Sequence, residues 1–338
     1  MSFLKQVLSL FSSKKEIIIV PYRGYANKDK LFLKGRVLKN KGISPDPANS
    51  TLSNLLNTYK RFETDEVGCI QVKVKINNQY FERTTDSEGY FMIDERWTAP
   101  PTQQDDQWID TKVQINEALP SDTLTETGLG EVIFTKGNSN YGVISDIDDT
   151  ILQSHVTSRL KWRLFYVTMF KSAFERRPMT GVTRLFRAMA KGSDGRQANP
   201  IFYVSNSPWN IYDLIVRFLE IQHLPKGPVL LRDYGIKPAG HFRDHKAESI
   251  RHILRTYPHL EFILLGDSGE KDADIYIRMV AEFPTQIKAI YIRKVKADKN
   301  ARRVAKLIKQ HPEVNALLAE SSDDMIAHAQ QHGFILSY

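Results

Sequence analysis

The residue pattern changes character at Gly137-Asn-Ser-Asn140, and that change limits the folds open to the chain more than any single residue does. Before it, from Ile17 to about Gly137, runs such as IIIVPYRGYA, LFLKGRVL, GCIQVKVKI, QYFERTT, GYFMIDE, WIDTKVQI and GEVIFT alternate or collect β-branched and aromatic residues. A period of two buries one face of a strand, and many short strands between turns predict an antiparallel β-sandwich. After it, apolar strand runs alternate with longer helical patterns, as in a parallel sheet with helices on both faces. The candidate strands there are Gly142 to Ser145, Pro200 to Val204, Pro228 to Leu231, Glu261 to Leu265 and Ile287 to Ile292. The expected fold class is therefore α/β, with a segment over 1–15, a β-sandwich over 16–138 and a parallel-sheet domain over 139–338. A length of 338 residues is enough for two such cores.

Several smaller features bound the function. Phe3, Leu4, Val7, Leu8 and Phe11 fall on one helical face, flanked by Lys14 and Lys15, so residues 1–15 suit either a membrane interface or the protein's own surface. Lys5 and Gln6 interrupt the apolar run, which argues against a signal peptide. No run of 18 apolar residues occurs, so no transmembrane helix is expected. Cys69 is the only cysteine, which excludes an internal disulfide and a cysteine-based zinc cluster and favours a reducing, cytoplasmic home. Lys and Arg number 47 against 39 Asp and Glu, a net charge of +8 that favours an anionic partner. The basic residues are spread out and no zinc-finger or basic-region pattern is present, so nucleic acid is not expected as that partner. Thr85-Asp86-Ser87-Glu88-Gly89-Tyr90-Phe91 predicts a tight turn, and the polar stretch Gly42 to Asn57 a loop running into a short helix.

The chemistry concentrates where apolar runs end. Val143 and Ile144 lead into Asp146-Ile-Asp148-Asp149-Thr150, and two carboxylates two residues apart on an extended backbone point the same way. Such a pair is costly without a cation or a shared proton, which points to a metal or acid/base site; a solvated acidic turn capping a helix fits the dipeptide spacing equally well. Farther on, Ile201-Phe-Tyr-Val204 delivers Ser205, Asn206 and Ser207, a helix start carries Lys246, and Phe262-Ile-Leu-Leu265 delivers Gly266-Asp267-Ser268-Gly269-Glu270-Lys271-Asp272. Singly these are turn, cap and surface residues. Together they occupy the carboxyl ends of parallel strands, where open α/β sheets bind ligands.

Asp146-x-Asp148-x-Thr150, Ser205, Lys246 and Gly266-Asp267 with Asp272 resemble the four motifs of the haloacid dehalogenase superfamily of phosphotransferases, over about residues 139–295. More narrowly, SDIDDTIL, YVSNSPWN, LLRDYG, the His245-Lys246 pair and LLGDSGEKDADIY resemble the catalytic domain of actin-patch-associated, Mg²⁺-dependent phosphatidate phosphatases. The resemblance implies a Rossmann-like, haloacid-dehalogenase-type sheet in which Asp146 is the nucleophile and Asp148 the general acid and base. It further implies Mg²⁺ held by Asp146, the Asp148 carbonyl and Asp267, with Asp272 a supporting residue or occasional ligand. Lys246 would offset charge, and Ser205 with Asn206 would hold the phosphoryl group. Ser207-Pro208 reads as a helix start with Ser207 as cap.

Relatives place a cap between the first two motifs, here about 155–192, where Leu160, Trp162, Phe165, Tyr166, Met169 and Phe170 stand among Lys161, Arg163, Lys171, Arg176 and Arg177. That mixture suits a lipid-facing lid as well as a helix packed on the core. Arg232, Lys237, His241 and Arg243 precede Lys246 and could meet a head group; His241 and His245 make no zinc pair. The resemblance implies hydrolysis of phosphatidate to diacylglycerol and phosphate by a protein expected in the cytoplasm, with an anionic membrane surface as a further candidate partner. A phosphatase for a soluble phosphomonoester and a catalytically silent interaction protein are the alternatives.

Overall fold

The computed structural model describes residues 15–40, 66–98, 100–101, 107–117, 123–135, 139–147, 181–232, 244–295 and 299–336. Expectations for residues 1–14, the polar insert, Asp148, Asp149, Thr150, residues 155–180, Lys237, His241 and Arg243 fall outside them. The chain forms two compact units, one made of strands before Ile133 and the other mainly of residues from Ile133 onward.

The first unit holds β1 (Lys15–Pro21), β2 (Gly24–Ala26), β3 (Lys30–Asn40), β4 (Gln71–Ile76), β5 (Gln79–Thr84), β6 (Tyr90–Arg96), β7 (Gln107–Ile115), β8 (Thr123–Thr125) and β9 (Gly128–Phe134). Hydrogen bonds join them in the order β5-β4-β7-β9-β2-β3-β1-β8, with β6 on β3. Most of the registered pairs are antiparallel and β1 with β8 is parallel, so the strand-rich region is a mixed, mainly antiparallel sheet. In β4 the alternation read from sequence is realised: Val72, Val74 and Ile76 are buried and Gln71 and Lys75 are exposed. The expected turn forms as well. Asp86 Oδ1 accepts from the Glu88 and Tyr90 N–H groups at 2.9 Å each, and Gly89 takes a left-handed φ of 78° where a Cβ would lie 2.4 Å from the Val37 carbonyl.

The second unit is a six-stranded sheet of β10 (Gly142–Asp146), β11 (Ile201–Pro208), β12 (Val229–Arg232), β13 (Phe262–Asp267), β14 (Ile287–Arg293) and β15 (Ala316–Ala319). Its order is β12-β11-β10-β13-β14-β15, and every registered neighbour is parallel. The five expected strands are all present, while β15 is an additional edge strand. Strand order reverses between β10 and β13, the two central strands. Connections leave in opposite directions there and open a crevice at the carboxyl ends.

The described helices are α1 (Val182–Lys191), α2 (Tyr212–Ile221), α3 (His245–Thr256), α4 (Asp272–Glu282), α5 (Lys299–Gln310) and α6 (Ser322–Gln331). Helix α1 buries Val182, Leu185, Phe186 and Met189, the i, i+3, i+4, i+7 stripe of a helix packed on a sheet. Phe186 stacks on Tyr203 of β11 with ring centroids 6.1 Å apart, and the single O–H of Tyr141 is shared between the carbonyls of Met189 and Phe334, at 3.0 and 2.9 Å. The last part of the stretch expected to form a cap is thus a core helix of the sheet's flank.

Candidate active site

Strand β10 is buried along its whole length and ends on Asp146, whose side chain is inaccessible to solvent. A carboxylate in that place needs cations. Helix α3 begins at His245, as expected, and its first turn sends Lys246 into the same space, with Nζ 3.0 Å from Asp146 Oδ1. Neighbouring β13 ends on Asp267, and the following loop runs into α4, whose first residue is Asp272. Both carboxyls are buried. Oxygen atoms of Asp146, Asp267 and Asp272 lie within 4.8 Å of one another, a grouping able to hold a metal ion.

Backbone detail aims each group. Asp267 Oδ1 accepts from the N–H groups of Gly269 and Glu270 at 2.5 and 3.1 Å, which curls the loop back on the strand end. Asp267 Oδ2 is buried with no hydrogen-bond partner among the described residues. Asp272 uses both oxygens: Oδ1 accepts from Lys246 Nζ at 2.5 Å and Oδ2 from the Asp267 N–H at 3.3 Å. Gly266 makes room for it, since a Cβ there would lie 2.5 Å from Asp272 Oδ2. Tyr276 of α4 donates to the Leu265 carbonyl at 2.7 Å and ties the helix to the strand.

The electrostatics follow from three buried carboxylates and a partly exposed fourth, Glu270, gathered around one buried ammonium. Burial and then the charge of Asp272 push the Asp267 carboxyl up to about 7, against the opposing pull of Lys246. Burial likewise raises Asp272, with Lys246 opposing. Burial acts to lower the Lys246 pKa, but Asp146, Asp272 and Glu270 outweigh it and hold it well above its ordinary value. The lysine stays charged while the site remains too acidic, the condition under which a divalent cation binds.

Ser205 and Asn206 stand at the end of β11, beside β10. Pairing with β12 shifts register between Val204 and Pro208, so Ser205, Asn206 and Ser207 form an irregularity at the strand's carboxyl end. Such a bulge re-aims side chains next to a site. Asn206 Nδ2 reaches Glu270 Oε2 at 3.2 Å, and Ser205 Oγ accepts the Ser207 N–H at 2.9 Å. The expected helix start at Ser207 is corrected here: the strand runs on through Pro208, a 3₁₀ turn follows at Trp209–Ile211, and α2 begins at Tyr212. The Ser207 N–H is spent inside the bulge instead of facing a ligand. Arg232 closes β12 opposite Pro208.

Asp146, Lys246, Asp267 and Asp272 come together as the motifs suggest, Ser205 and Asn206 lie on the adjoining strand, and Asp148 is outside the described residues. Glu270 is the participant that sequence reading passes over. Its Oε2 accepts from Lys246 Nζ at 3.0 Å and from Asn206. Only its place between Asp267 and Asp272 hinted at this.

A parallel α/β sheet that brings buried carboxylates and a lysine together at its topological reversal defines a class of protein suited to a cation and an anionic substrate. Residues 141–294 match the family described as "Phosphatidate phosphatase APP1, catalytic domain", the family read from SDIDDTIL and LLGDSGEKDADIY. The chain is similar to "Phosphatidate phosphatase APP1" of Saccharomyces cerevisiae, 30% identical over 237 residues that cover 65% of this chain and 36% of that protein. It is also similar to an uncharacterized protein of Schizosaccharomyces pombe, 27% identical over 244 residues, 68% of this chain and 38% of that one. The chain therefore spans little more than a third of the length of these relatives. Among solved structures, a carbohydrate acetylesterase from Xanthomonas citri covers 86% of this chain and 73% of its own at 8% identity and a TM-score of 0.27, a likeness that carries no argument.

Proposed function

We propose that the chain is a Mg²⁺-dependent phosphatidate phosphatase that releases diacylglycerol and phosphate through an aspartyl-phosphate intermediate. Its catalytic domain is of the haloacid dehalogenase type over 139–338, with a β-sandwich accessory domain over 16–138 and a cap in the part of 155–192 that precedes Gly181. The observation that carries this reading is the buried Asp146–Lys246 pair at 3.0 Å, standing beside Asp267 at the reversal of a parallel sheet.

The donor set fits Mg²⁺, a hard cation that takes oxygen ligands, because Asp267 Oδ2 is buried with no hydrogen bond among the described residues and lies with two further carboxylates. Asp146 and Asp267 would hold the ion together with the Asp148 carbonyl; Asp272, with both oxygens engaged, supports Lys246 and the Asp267 backbone. When bound, the ion supplies the positive charge that lets a carboxylate approach a phosphoryl dianion.

Asp146 attacks phosphorus through one oxygen while Lys246 steadies the other. Asp148 gives its proton to the departing diacylglycerol oxygen. It then takes a proton from the water that attacks phosphorus and cleaves the acyl phosphate, which returns Asp146 as a carboxylate. Ser205 and Asn206 donate to phosphoryl oxygens, a role supported by the irregular end of β11 and by the reach of Asn206 to Glu270, itself bound to Lys246. The aromatic and basic residues of 155–180, with the amphipathic residues 1–15, would meet the lipid surface from the cytoplasmic side. Among the described residues no helix is long and apolar enough to cross a membrane.

The test is Mg²⁺-dependent phosphate release from phosphatidate in mixed micelles against soluble phosphomonoesters, with Asp146→Asn and Asp148→Asn beside the wild type. Preference for micellar phosphatidate and a loss of at least about a thousandfold in both variants are expected. Full turnover by Asp146→Asn removes the nucleophile assignment. Better hydrolysis of soluble esters removes the lipid substrate and leaves the phosphatase.

A further inference from the structure

An ammonium group has three N–H donors. At Lys246 two are donated, to Asp272 Oδ1 at 2.5 Å and to Glu270 Oε2 at 3.0 Å, and Nζ also stands 3.0 Å from Asp146 Oδ1 as an ion pair. A phosphoryl oxygen approaching this crowded ammonium therefore competes with the acceptors already on it, of which Asp272 and Glu270 are the hydrogen-bonded ones. Asp146 and Asp272 are wholly buried, and Asp272 is also fixed by the Asp267 N–H. Glu270 is different. Its side chain is 31% exposed, and it hangs from the loop between β13 and α4 with a route to solvent. The same Oε2 atom also accepts from Asn206 Nδ2 at 3.2 Å.

We infer that Glu270 is a placeholder: in the substrate-free protein its carboxylate occupies the seat of a phosphoryl oxygen on Lys246 and Asn206, and an incoming phosphoryl group displaces it toward solvent. This deepens the proposed function and rests on that reading of the site. A carboxylate oxygen and a phosphoryl oxygen make the same demand on an ammonium and an amide N–H, so one can stand in for the other. The arrangement keeps Lys246 and Asn206 oriented before substrate arrives, and it spares a buried ammonium an unfilled donor. It also has a cost for binding. Every phosphoryl anion, product phosphate included, must first compete with a tethered carboxylate, and that competition favours phosphate release after turnover.

Glu270 therefore acts through Lys246 and Asn206 as a positioning residue, and its removal should move anion affinity in the direction opposite to loss of a support. The experiment is calorimetric titration of inorganic phosphate into the full chain with Mg²⁺ present, for the wild type, Glu270→Gln and Glu270→Ala. KM and kcat are measured alongside on a soluble phosphomonoester, and folding is checked by thermal melting. Both variants should bind phosphate about tenfold tighter, because a charge-assisted competitor has been removed. KM should fall with it, and kcat should fall or stay level as phosphate leaves more slowly. Equal or weaker phosphate binding in the folded variants overturns the placeholder and leaves the phosphatase reading standing. Tighter phosphate binding without hydrolysis of any phosphomonoester keeps the placeholder and removes the phosphatase. Failure of all three proteins to bind phosphate overturns both.

Discussion

Gly266 sets the tolerance of the site at the scale of one atom. A methyl group there would lie 2.5 Å from Asp272 Oδ2 and 2.7 Å from its Cβ, and Asp272 has no retreat because its two oxygens hold Lys246 and the Asp267 N–H. Gly266→Ala is expected to destabilise the protein by about 1–3 kcal/mol, the usual cost of overpacking. It should also weaken Mg²⁺ binding by loosening the Asp267 loop. Urea unfolding and calorimetry measure the two effects, and wild-type values in both would mean that Asp272 moves freely. Residues whose place is set by local periodicity were legible in sequence: Asp146 and Asp267 end apolar strands, and Lys246 opens a helix. Asp272 was reached through its loop phrase. Glu270 was not, because a loop carries no period from which the reach of a side chain can be read. Ser207-Pro208 misled for a related reason, since a serine before a proline has the composition of a helix cap and a register shift leaves no mark in composition.

At the scale of elements, α1 separates packing from substrate control. The basic, aromatic stretch before it and the helix itself read alike in sequence, since an apolar stripe beside cations serves a lid and a core helix equally. Its contacts decide the matter: Phe186 is buried and stacked on Tyr203, and the Met189 carbonyl is held by Tyr141. Phe186→Ala should cost about 3–5 kcal/mol in chemical denaturation, as a large cavity in a core does. Any activity that survives folding should keep its KM. A changed KM with unaltered stability would return α1 to the lid. The five expected strands were legible because each is a short apolar run bounded by helical pattern. Strand β15 was not: Ala316-Leu-Leu-Ala319 is made of good helix formers and becomes a strand by pairing with β14.

At the scale of the molecule, the acidic centre links metal, protons and stability in a way that a folding measurement can read. The Asp267 carboxyl is raised to about 7, so in the metal-free protein its ionisation works against the fold. Its favourable share is complete below the ordinary carboxylate range and is lost as pH rises through about 7. A cation reverses the balance, because it binds the ionised carboxylate and must compete with the proton below that pH. At a Mg²⁺ concentration a hundred times the dissociation constant measured near pH 8.5, binding should add about 2.7 kcal/mol to stability. Near pH 5 one competing proton weakens the apparent affinity about a hundredfold, and the same Mg²⁺ should add only about 0.4 kcal/mol. Thermal melts with Mg²⁺ and with chelator at both pH values check this. Asp267→Asn is the control: the variant should melt higher than the wild type without metal at the higher pH, and Mg²⁺ should move it little at either. A Mg²⁺-induced rise of equal size at the two pH values, or one that survives Asp267→Asn, would place the cation away from this carboxylate and reopen the assignment of the buried cluster.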